Sequence, residues 1–406
     1  MKKFFITSVI AAMATSAMAA TTTLEVTVNN PGNTPREAVP VTVNLAEVVR
    51  GMNVASATVV IDGKEVACQL DDLNKDGVPE ELVWVTDVAP KSAATAEVTL
   101  SDEGTMKTFE PQTYAYIKLR DEKKKYPKIV AIEFPGDADT RIMYNSIYGH
   151  GAVMEGFYNA IRIYMDNRQS IDIYGKNKLQ LELDVTGFYT TPEQLAEGYG
   201  HDILWAGKSV AAGSFRGYQN HATCYIDTVA SRGQRVVVSG SVRSIVEVTD
   251  HGWIYNGKRH EMTQRYTLWA GHRDYDVDIN IIGTTPEDVY ATGVQKMESD
   301  NEGFVATSGL AACWGSNVPE KKYADLVEWV GLGVSVDPKY LNGVTEDTDN
   351  YLTFLRPDRQ GNISYGVNMA SVREPDGFKD APAWMKYLNQ WHNDRLNPCT
   401  VTIKKK

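Results

Sequence analysis

Six of the seven histidines of this chain lie between His150 and His272. Histidine titrates near neutral pH and is the side chain most often used for general acid–base catalysis. His150 differs from the others because Gly149 and Gly151 flank it, and glycine lets a backbone or a ligand approach closely. A single histidine is more often structural or merely exposed. As a functional hypothesis, His150 is the base of a proton-transfer site, and Glu155 is the residue that orients it.

Two runs after His150 alternate apolar and polar residues with the period of a β-strand. In the first run Arg162, Tyr164 and Asp166 share one face, and Ile171–Tyr174 repeats the pattern. A face of Arg, Tyr and Asp is typical of a polar cleft, although a solvated outer face explains the pattern equally well. In the cleft interpretation, Arg162 binds an anionic group of the substrate, Tyr164 is the acid, and Asp166 contributes to substrate binding.

Residues 252–274, GWIYNGKRHEMTQRYTLWAGHRD, form a second group rich in aromatic and basic side chains. Asn-Gly within it predicts a hairpin turn. Aromatic rings stack on sugar faces, and arginine binds a carboxylate through two parallel hydrogen bonds. The alternative is that the tryptophans fill the core. Neighbours on a strand point to opposite faces, so Arg265 and Tyr266 cannot both enter one cleft. The candidates are His260 as an alternative acid, and Arg265, Tyr266 and Trp269 as substrate-binding residues.

A third candidate is the pair His201 and Asp202, which follows a predicted short helix at Pro192–Glu197. Thr191 is the predicted N-cap of that helix, with proline at the first helical position. Loops on β-sandwiches often carry binding groups. The pair is therefore assigned to substrate binding, although a neighbouring His and Asp is a weak motif.

The chain lacks the glycine-rich nucleotide loops, the GxSxG elbow and the HExxH zinc motif. We therefore predict neither a cofactor nor a metal site. The net charge of −11, with no basic block, argues against nucleic-acid binding. Four scattered cysteines permit one disulfide without indicating its pairing. Asp72–Gly77 matches half of an EF-hand calcium loop, but Val83 stands where the bidentate Glu belongs, so a plain hairpin turn is the favoured interpretation.

Residues 1–19 resemble a secretory leader, with two lysines, an apolar stretch and the cleavage signal Ala17-Met18-Ala19. No later stretch is apolar over the length that a membrane span needs. The protein is therefore expected to be periplasmic or secreted, without membrane insertion. The sequence gives no indication of the oligomeric state.

Strand signals dominate the chain, which predicts an all-β fold. Residues 20–105 have the size of a small β-sandwich, and the charged segment Asp121–Pro127 suggests a change of domain. Residues 125–400 are expected to form a large antiparallel sandwich of two sheets. Besides the helix at residue 192, only Ala383–Trp391 has a helical pattern. The strands predicted in the large domain, apart from the two that follow His150, are Ile129–Phe134, Leu179–Leu183, Arg235–Ser239, Ser244–Val248, Thr263–Trp269, Asp276–Ile282, Tyr290–Lys296 and Val327–Val334.

Four motifs in this order, HGxxxE, RxYxDxRQSxDxYGK, GWxYxGxxxxMTxRYTLxAGHRD and TGVQ, resemble a family of secreted Bacteroidetes proteins known as domain of unknown function 4861. The likeness extends from about residue 20 to 395. It implies a role in polysaccharide utilisation and a galactose-mutarotase-like super-sandwich. A member of the family is an oligosaccharide dehydratase that acts on uronic-acid-containing chains of ulvan. The resemblance supplies no catalytic residues, so the site assignments come from the residues alone.

Together these observations predict an enzyme that eliminates water or a sugar from uronic-acid-containing oligosaccharides. Elimination requires a base at C5, a cation at the carboxylate and an acid at C4. His150, Arg162 (or Arg265) and Tyr164 (or His260) are the corresponding candidates. A glycoside hydrolase using Glu155 with Asp166 or Asp202 is one alternative. An epimerase and a carbohydrate-binding protein without turnover are the others.

Overall fold

The computed structural model describes residues 19–120, 128–319 and 326–406. The predicted leader lies outside the described residues except for its last residue, and so does the connector Asp121–Pro127. The chain is all-β and is built mainly from antiparallel sheets, as the sequence predicted. Within the described ranges, none of the helices combines the length and the apolar character needed to cross a bilayer.

The first part of the chain is a small sandwich in which apolar residues alternate along each strand. Leu24, Val26 and Val28 of the first strand are buried and face Leu82 and Trp84 of the opposite sheet. The elements are β1 (Thr21–Asn29), β2 (Arg36–Asn44), α1 (Leu45–Val48), β3 (Ser56–Ile61), β4 (Lys64–Glu65), β5 (Cys68–Asp71), β6 (Glu81–Val88) and β7 (Ala93–Ser101). One sheet contains β1, β7, β3 and β4, and the other has the order β2-β6-β5.

The larger part consists of three antiparallel sheets around one core. Its strands are β8 (Tyr114–Lys118), β9 (Lys128–Ile129), β10 (Ala131–Pro135), β11 (Gly151–Glu155), β12 (Asn159–Tyr164), β13 (Ile171–Gly175), β14 (His201–Asp202), β15 (Arg216–Gln219), β16 (Ala222–Cys224), β17 (Ser231–Ser239), β18 (Arg243–Tyr255), β19 (Lys258–Trp269), β20 (Asp274–Ile282), β21 (Tyr290–Gln295), β22 (Ser299–Val305), β23 (Leu310–Asn317), β24 (Glu328–Val336), β25 (Leu341–Glu346), β26 (Asn350–Leu355) and β27 (Asn362–Ser371).

The nine-stranded sheet has the order β10-β17-β18-β19-β20-β27-β24-β23-β22. A six-stranded sheet, β14-β13-β12-β11-β8-β9, and a five-stranded sheet, β16-β15-β21-β26-β25, complete the sandwich. The main core joins Ile163 and Ile173 of the six-stranded sheet to Tyr266 and Tyr275 of the nine-stranded sheet. The predicted hairpin is confirmed, because β18 and β19 are joined by Asn256-Gly257, with both residues at positive φ.

Helices are few: α2 (Thr140–Ser146), α3 (Leu183–Thr186), α4 (Pro192–Ala196) and α5 (Ala381–Leu396). The helix predicted at Pro192 is confirmed, and Thr191 forms a capping box with Gln194. The strand predicted at Leu179–Leu183 is wrong. The carboxylate of Glu155 accepts the backbone N–H groups of Glu182 and Leu183, which caps a helical turn at that point.

The C-terminal helix is confirmed and is longer than predicted. Trp384 and Leu388 of α5 pack on the nine-stranded sheet, where Gly331 and Gly333 leave room for them. After α5, the last strand, β28 (Thr400–Lys405), returns to the small sandwich and pairs antiparallel with β1. All four cysteines are free thiols.

Candidate functional site

The six-stranded sheet has one apolar face and one face that combines charged and aromatic residues. On β12 and β13 the isoleucines point into the main core, whereas Arg162 and Asp172 lie opposite each other on the outward face. Tyr164 and Tyr174 occupy the same face one pleat away, because strand residues two apart point the same way. The alternation seen in the sequence therefore builds a polar wall, and the role of this wall as a substrate cleft stays a prediction.

Arg162 is buried in this wall. Its Nη2 donates to a carboxylate oxygen of Asp172 and, at 2.9 Å, to the hydroxyl oxygen of Tyr164. The Tyr164 hydroxyl in turn donates to Asp172 at 2.9 Å. Burial, reinforced by the charge of Asp172, raises the pKa of Tyr164, so its hydroxyl keeps its proton at neutral pH. Arg162 thus fixes the position of a protonated phenol.

His150 lies beside this phenol at the end of a single 3₁₀ turn, Tyr148–His150. Its φ of 69° is in the left-handed region, which is uncommon for a residue with a side chain and is often found at functional sites. The imidazole packs on Tyr144 with ring centres 4.3 Å apart and the ring planes tilted by 30°, and its centre is 6.2 Å from that of Tyr164. Burial, and then the charge of Arg162, lower the pKa of His150, so the ring is neutral at neutral pH.

Tyr144 and Arg168 complete the accessible part of the wall. The Tyr144 hydroxyl donates to Asp166 at 2.6 Å and accepts from Nη2 of Arg168 at 2.7 Å. The Arg168 guanidinium also lies 5.4 Å from the ring centre of Tyr164. All four of the following side chains are half-buried, and we call them the rim cluster: Tyr144, His150, Tyr164 and Arg168.

Two members of the rim cluster, Tyr144 and Arg168, are not among the residues predicted from the sequence. Arg168 lies in the motif RxYxDxR, two residues after Asp166, and the turn after β12 folds it back onto that carboxylate at 2.7 Å. This spacing was a usable signal. The sequence held no such signal for Tyr144, because only the path of the chain from α2 into the 3₁₀ turn brings its ring onto His150.

Glu155 lies away from His150, at the opposite end of β11. Five strand residues separate the ends of β11 by about 13 Å, so Glu155 does not orient the imidazole. Its carboxylate is fully buried and is bound by Lys176 and by the amide N–H groups of Glu182, at 2.6 Å, and Leu183, at 3.0 Å. The interactions of Glu155 therefore fix the segment after β13 to the sheet.

His201 and Asp202 of β14 lie in two different environments. Asp202 lies opposite Tyr174 in the register and belongs to the outward wall. Burial lowers the pKa of Arg162, but the surrounding groups, Asp172 and Asp202 among them, raise this pKa well above its ordinary value. His201 points elsewhere and contacts Glu328 at 3.0 Å. Of the two, only Asp202 is near the rim cluster.

The candidates from β19 lie in other parts of the fold. His260 is buried, with Nε2 3.4 Å from Asp288. Arg265 donates to Glu247 at 2.7 and 2.9 Å on the outer side of the nine-stranded sheet. Tyr266 lies in the main core, as expected for a neighbour of Arg265 on a regular strand. Trp269 packs against the small sandwich, under the guanidinium of Arg243 at 5.0 Å.

The loop after β5 brings carboxylate oxygens of Asp72, Asp76 and Glu80 within 4.8 Å of one another. These oxygens accept backbone N–H groups of the same loop, for example Asp72 from Gly77 at 2.8 Å. The loop connects two strands of a hairpin, which is the turn that the sequence favoured. The prediction of no metal site stays a prediction.

A family model described as "Domain of unknown function (DUF4861)" matches residues 28–401. No curated protein matches the chain by sequence. A solved protein in glycosyl hydrolase family 38 from Enterococcus faecalis is similar in structure, with a TM-score of 0.51 and 12% identity over 94% of this chain and 47% of that chain. An α-mannosidase from Enterococcus faecalis V583 gives a TM-score of 0.47 and 11% identity over 94% of this chain and 46% of that chain. The chain thus spans about half the length of these proteins, and the first likeness shows a shared fold.

Proposed function

For a chain that belongs to the DUF4861 family, we propose a carbohydrate-active enzyme that removes a proton from a uronic-acid unit of an oligosaccharide. The observation that carries this proposal is the neutral His150 imidazole, which is packed between Tyr144 and Tyr164, two tyrosines that the partly exposed Arg168 also contacts. A carbohydrate substrate agrees with the aromatic rim and with a fold shared with a protein of a glycosyl hydrolase family.

The tautomer of His150 determines which nitrogen can accept the proton. Its Nδ1 lies 3.3 Å from the carbonyl oxygen of Tyr144, and a carbonyl only accepts hydrogen bonds. Nδ1 therefore carries the hydrogen of the neutral ring, and Nε2 presents a lone pair. A neutral imidazole with a free Nε2 is a general base of suitable strength at neutral pH.

In the proposed step, Nε2 of His150 takes the C5 proton of the uronate. The electron pair of the C5–H bond forms the C4–C5 double bond, and the C4–O bond breaks. The Tyr164 hydroxyl gives its proton to the departing oxygen. Arg168, whose side chain is 37% exposed although it also pairs with Asp166, donates hydrogen bonds to the sugar carboxylate and so makes C5 more acidic. Departure of a hydroxyl is dehydration, and departure of a sugar is chain cleavage.

The two hydrolase pairs, Glu155 with Asp166 or with Asp202, are less well supported by the geometry because both need Glu155. Glu155 is bound by Lys176 and two backbone N–H groups, and Asp166 by Arg168 and Tyr144, so neither is available as a proton donor. An epimerase, by contrast, would use the same base at C5 without a leaving group. Proton exchange at C5 without elimination distinguishes this second candidate.

The proposal is tested by incubating the full chain with uronate-terminated oligosaccharides in deuterated water. Ultraviolet absorbance of the conjugated double bond, with mass spectrometry, separates five results. Loss of water with rising absorbance supports a dehydratase, and chain cleavage with rising absorbance supports a lyase. Chain cleavage without absorbance, or no change at all, contradicts elimination. Deuterium at C5 alone supports the epimerase. An extracytoplasmic location, expected from residues 1–19, is part of the proposal.

A further inference from the structure

The segment Leu183–Tyr199, which we call the cover segment, lies across the outward face of the six-stranded sheet. Both of its ends are attached near one buried ion pair. The Glu155 carboxylate, bound to Lys176, accepts the N–H of Leu183 at 3.0 Å. The carboxylate of Glu182 accepts the N–H of Gly200 at 2.8 Å. The two attachments close the segment into a loop above the wall.

Between its attached ends, the cover segment contacts the sheet through an exposed ion-pair network at its start, where Asp184 accepts from Lys118 of β8 at 2.8 Å and from Lys128 of β9 at 3.4 Å, and through few buried side chains. Leu183 and Phe188 are buried in a small apolar cluster, whereas α4 buries none of its residues. Val185 and Tyr189 are 62% and 53% exposed. A segment with few buried contacts opens at a lower free-energy cost than the sheet beneath it.

Phe188 is the residue of the cover segment that covers Arg162. The ring centre of Phe188 lies 5.0 Å from the guanidinium carbon, and 5.6 Å and 6.2 Å from the ring centres of Tyr174 and Tyr116. Gly149 makes this position possible, since a Cβ there would lie 1.9 Å from the Phe188 ring. The phenyl ring thus occupies a niche formed by a cation and two phenols.

That niche contains hydrogen-bond donors without acceptors. Arg162 is 3% exposed, and its Nε and Nη1 have no partner among the described residues. The same holds for the hydroxyls of Tyr116 and Tyr174. Unpaired buried polar groups are rare in proteins, and each costs about 1–3 kcal/mol, so their concentration around one arginine needs a functional reason.

We propose that the cover segment opens and that an oxyanion on the saccharide, a carboxylate or a sulfate ester, replaces Phe188 at Arg162, Tyr116 and Tyr174. This subsite rests on the proposed function, because it extends the same wall. Arg168 and Arg162 both lie beside the ring of Tyr164, at 5.4 Å and 4.9 Å from its centre. The substrate class is then an oligosaccharide that carries anionic groups on neighbouring units.

Charge alone does not hold the oxyanion in this niche. Asp172 binds Nη2 of Arg162, and Asp202 lies on the next strand, so the positive charge is already balanced. The oxyanion is held by the unpaired N–H and O–H donors, and hydrogen bonds to a charged acceptor are stronger than neutral ones. Binding should therefore depend weakly on salt concentration.

The test measures binding by calorimetry with three probes: glucuronate, inorganic sulfate and methyl glucoside. Tyr174→Phe and Tyr116→Phe each remove one buried hydroxyl for which the described part of the chain provides no partner. We expect each substitution to weaken anion binding about tenfold, with no loss of thermal stability and no change for methyl glucoside. Unchanged anion affinity in both variants would overturn the subsite. Tighter binding of glucuronate than sulfate identifies a carboxylate, and the reverse identifies a sulfate ester.

A second pair of variants tests the exchange with Phe188. Phe188→Ala should bind the anions more tightly, because no ring has to leave the niche. Tyr189→Ala removes the exposed neighbouring ring of the same segment and serves as the matched control. Hydrogen exchange of residues 183–199 should become faster when the anion is bound to the native chain. Equal protection in the free and saturated protein would contradict opening of the cover segment.

The two proposals fail independently. Normal turnover in Tyr174→Phe and Tyr116→Phe, with unchanged anion binding, would remove the subsite and leave the enzyme. Hydroxyl-dependent anion binding without any turnover on a range of oligosaccharides would keep the subsite and remove the enzyme.

Discussion

His150 and Tyr144 hold each other through two contacts: their rings pack with centres 4.3 Å apart, and Nδ1 of His150 lies 3.3 Å from the carbonyl oxygen of Tyr144. The carbonyl fixes the tautomer, and the adjacent ring limits rotation of the imidazole. Nε2 is therefore held in one direction. A base that is pre-oriented in this way loses little entropy when the substrate binds.

Replacement of His150 by alanine should lower kcat about 10²–10⁴-fold, the usual contribution of a general base, and leave the folded structure intact. His150 is half-buried and does not belong to the main core, so thermal stability should change little. The exposed His221→Ala is the matched control and should keep full turnover. Steady-state kinetics on the oligosaccharide identified above provides the measurement, and wild-type kcat in His150→Ala would exclude this residue as the base.

The pH dependence of kcat/KM should report the lowered pKa of His150. The neutral ring is the active form and exists above the pKa. Since burial and Arg162 lower that pKa below the usual value of 6.5, turnover should persist into mildly acidic solution and fall only below it. A pH profile of the native chain measures the acid limb. A limb at or above the ordinary histidine pKa would contradict the assignment.

Tyr164→Phe should lower kcat by about 10²-fold if the phenol protonates the leaving oxygen. A better leaving group at C4 needs less protonation, so the loss should shrink with such a substrate. This dependence separates an acid from a residue that only shapes the wall. Tyr144→Phe is the comparison in the same cluster, and a larger loss there, with the same leaving-group dependence, would transfer the role of acid to Tyr144.

The pair of Glu155 and Lys176 should show strong coupling in a double-mutant cycle. Both side chains are fully buried, and removing one partner leaves a buried charge, which costs about 3–5 kcal/mol. Glu155→Gln and Lys176→Met should each lower the unfolding free energy by that order, and the double variant by less than their sum. Chemical denaturation measures the unfolding free energy of the native chain, the two single variants and the double variant. Simple additivity would show that the two side chains do not stabilise each other.

Local patterns in the sequence predicted much of the fold. Alternation identified β12 and β13, Asn256-Gly257 identified the β18–β19 hairpin, and Thr191 marked the start of α4. Such features depend on interactions within a few residues, which a sequence displays directly. The return of β28 to β1 depends on the tertiary structure, and no local pattern in Thr400–Lys405 specifies its partner.

The candidate site was predictable to the extent that one sheet builds it. His150, Arg162, Tyr164 and Asp202 lie on or beside one wall because β11 to β14 are neighbours. His260 and Trp269 carry equally suitable side chains, but β19 belongs to the opposite sheet. Residue type and spacing along a strand specify a face, and they do not specify which sheet that strand joins.

Gly149→Ala should be more destabilising than a change of backbone conformation alone explains. Gly149 has a φ of +73°, and a Cβ there would lie 1.9 Å from the ring of Phe188. Gly51 has the same φ of +73° with no atom within 4 Å of the Cβ position, so Gly51→Ala measures the conformational strain by itself. That strain is about 1–2 kcal/mol for an alanine in the left-handed region.

The remaining loss of stability in Gly149→Ala comes from displacement of Phe188, and a second substitution can remove this part of the loss. In the background of Phe188→Ala the clash is absent, so Gly149→Ala should cost no more there than Gly51→Ala costs in the native chain. Thermal denaturation of the single and double variants measures both quantities. Gly149→Ala could instead lower thermal stability as much without the phenyl ring as with it. Gly149 would then be needed only for the backbone conformation beside His150, and the contact between the 3₁₀ turn and the cover segment would make no contribution to stability.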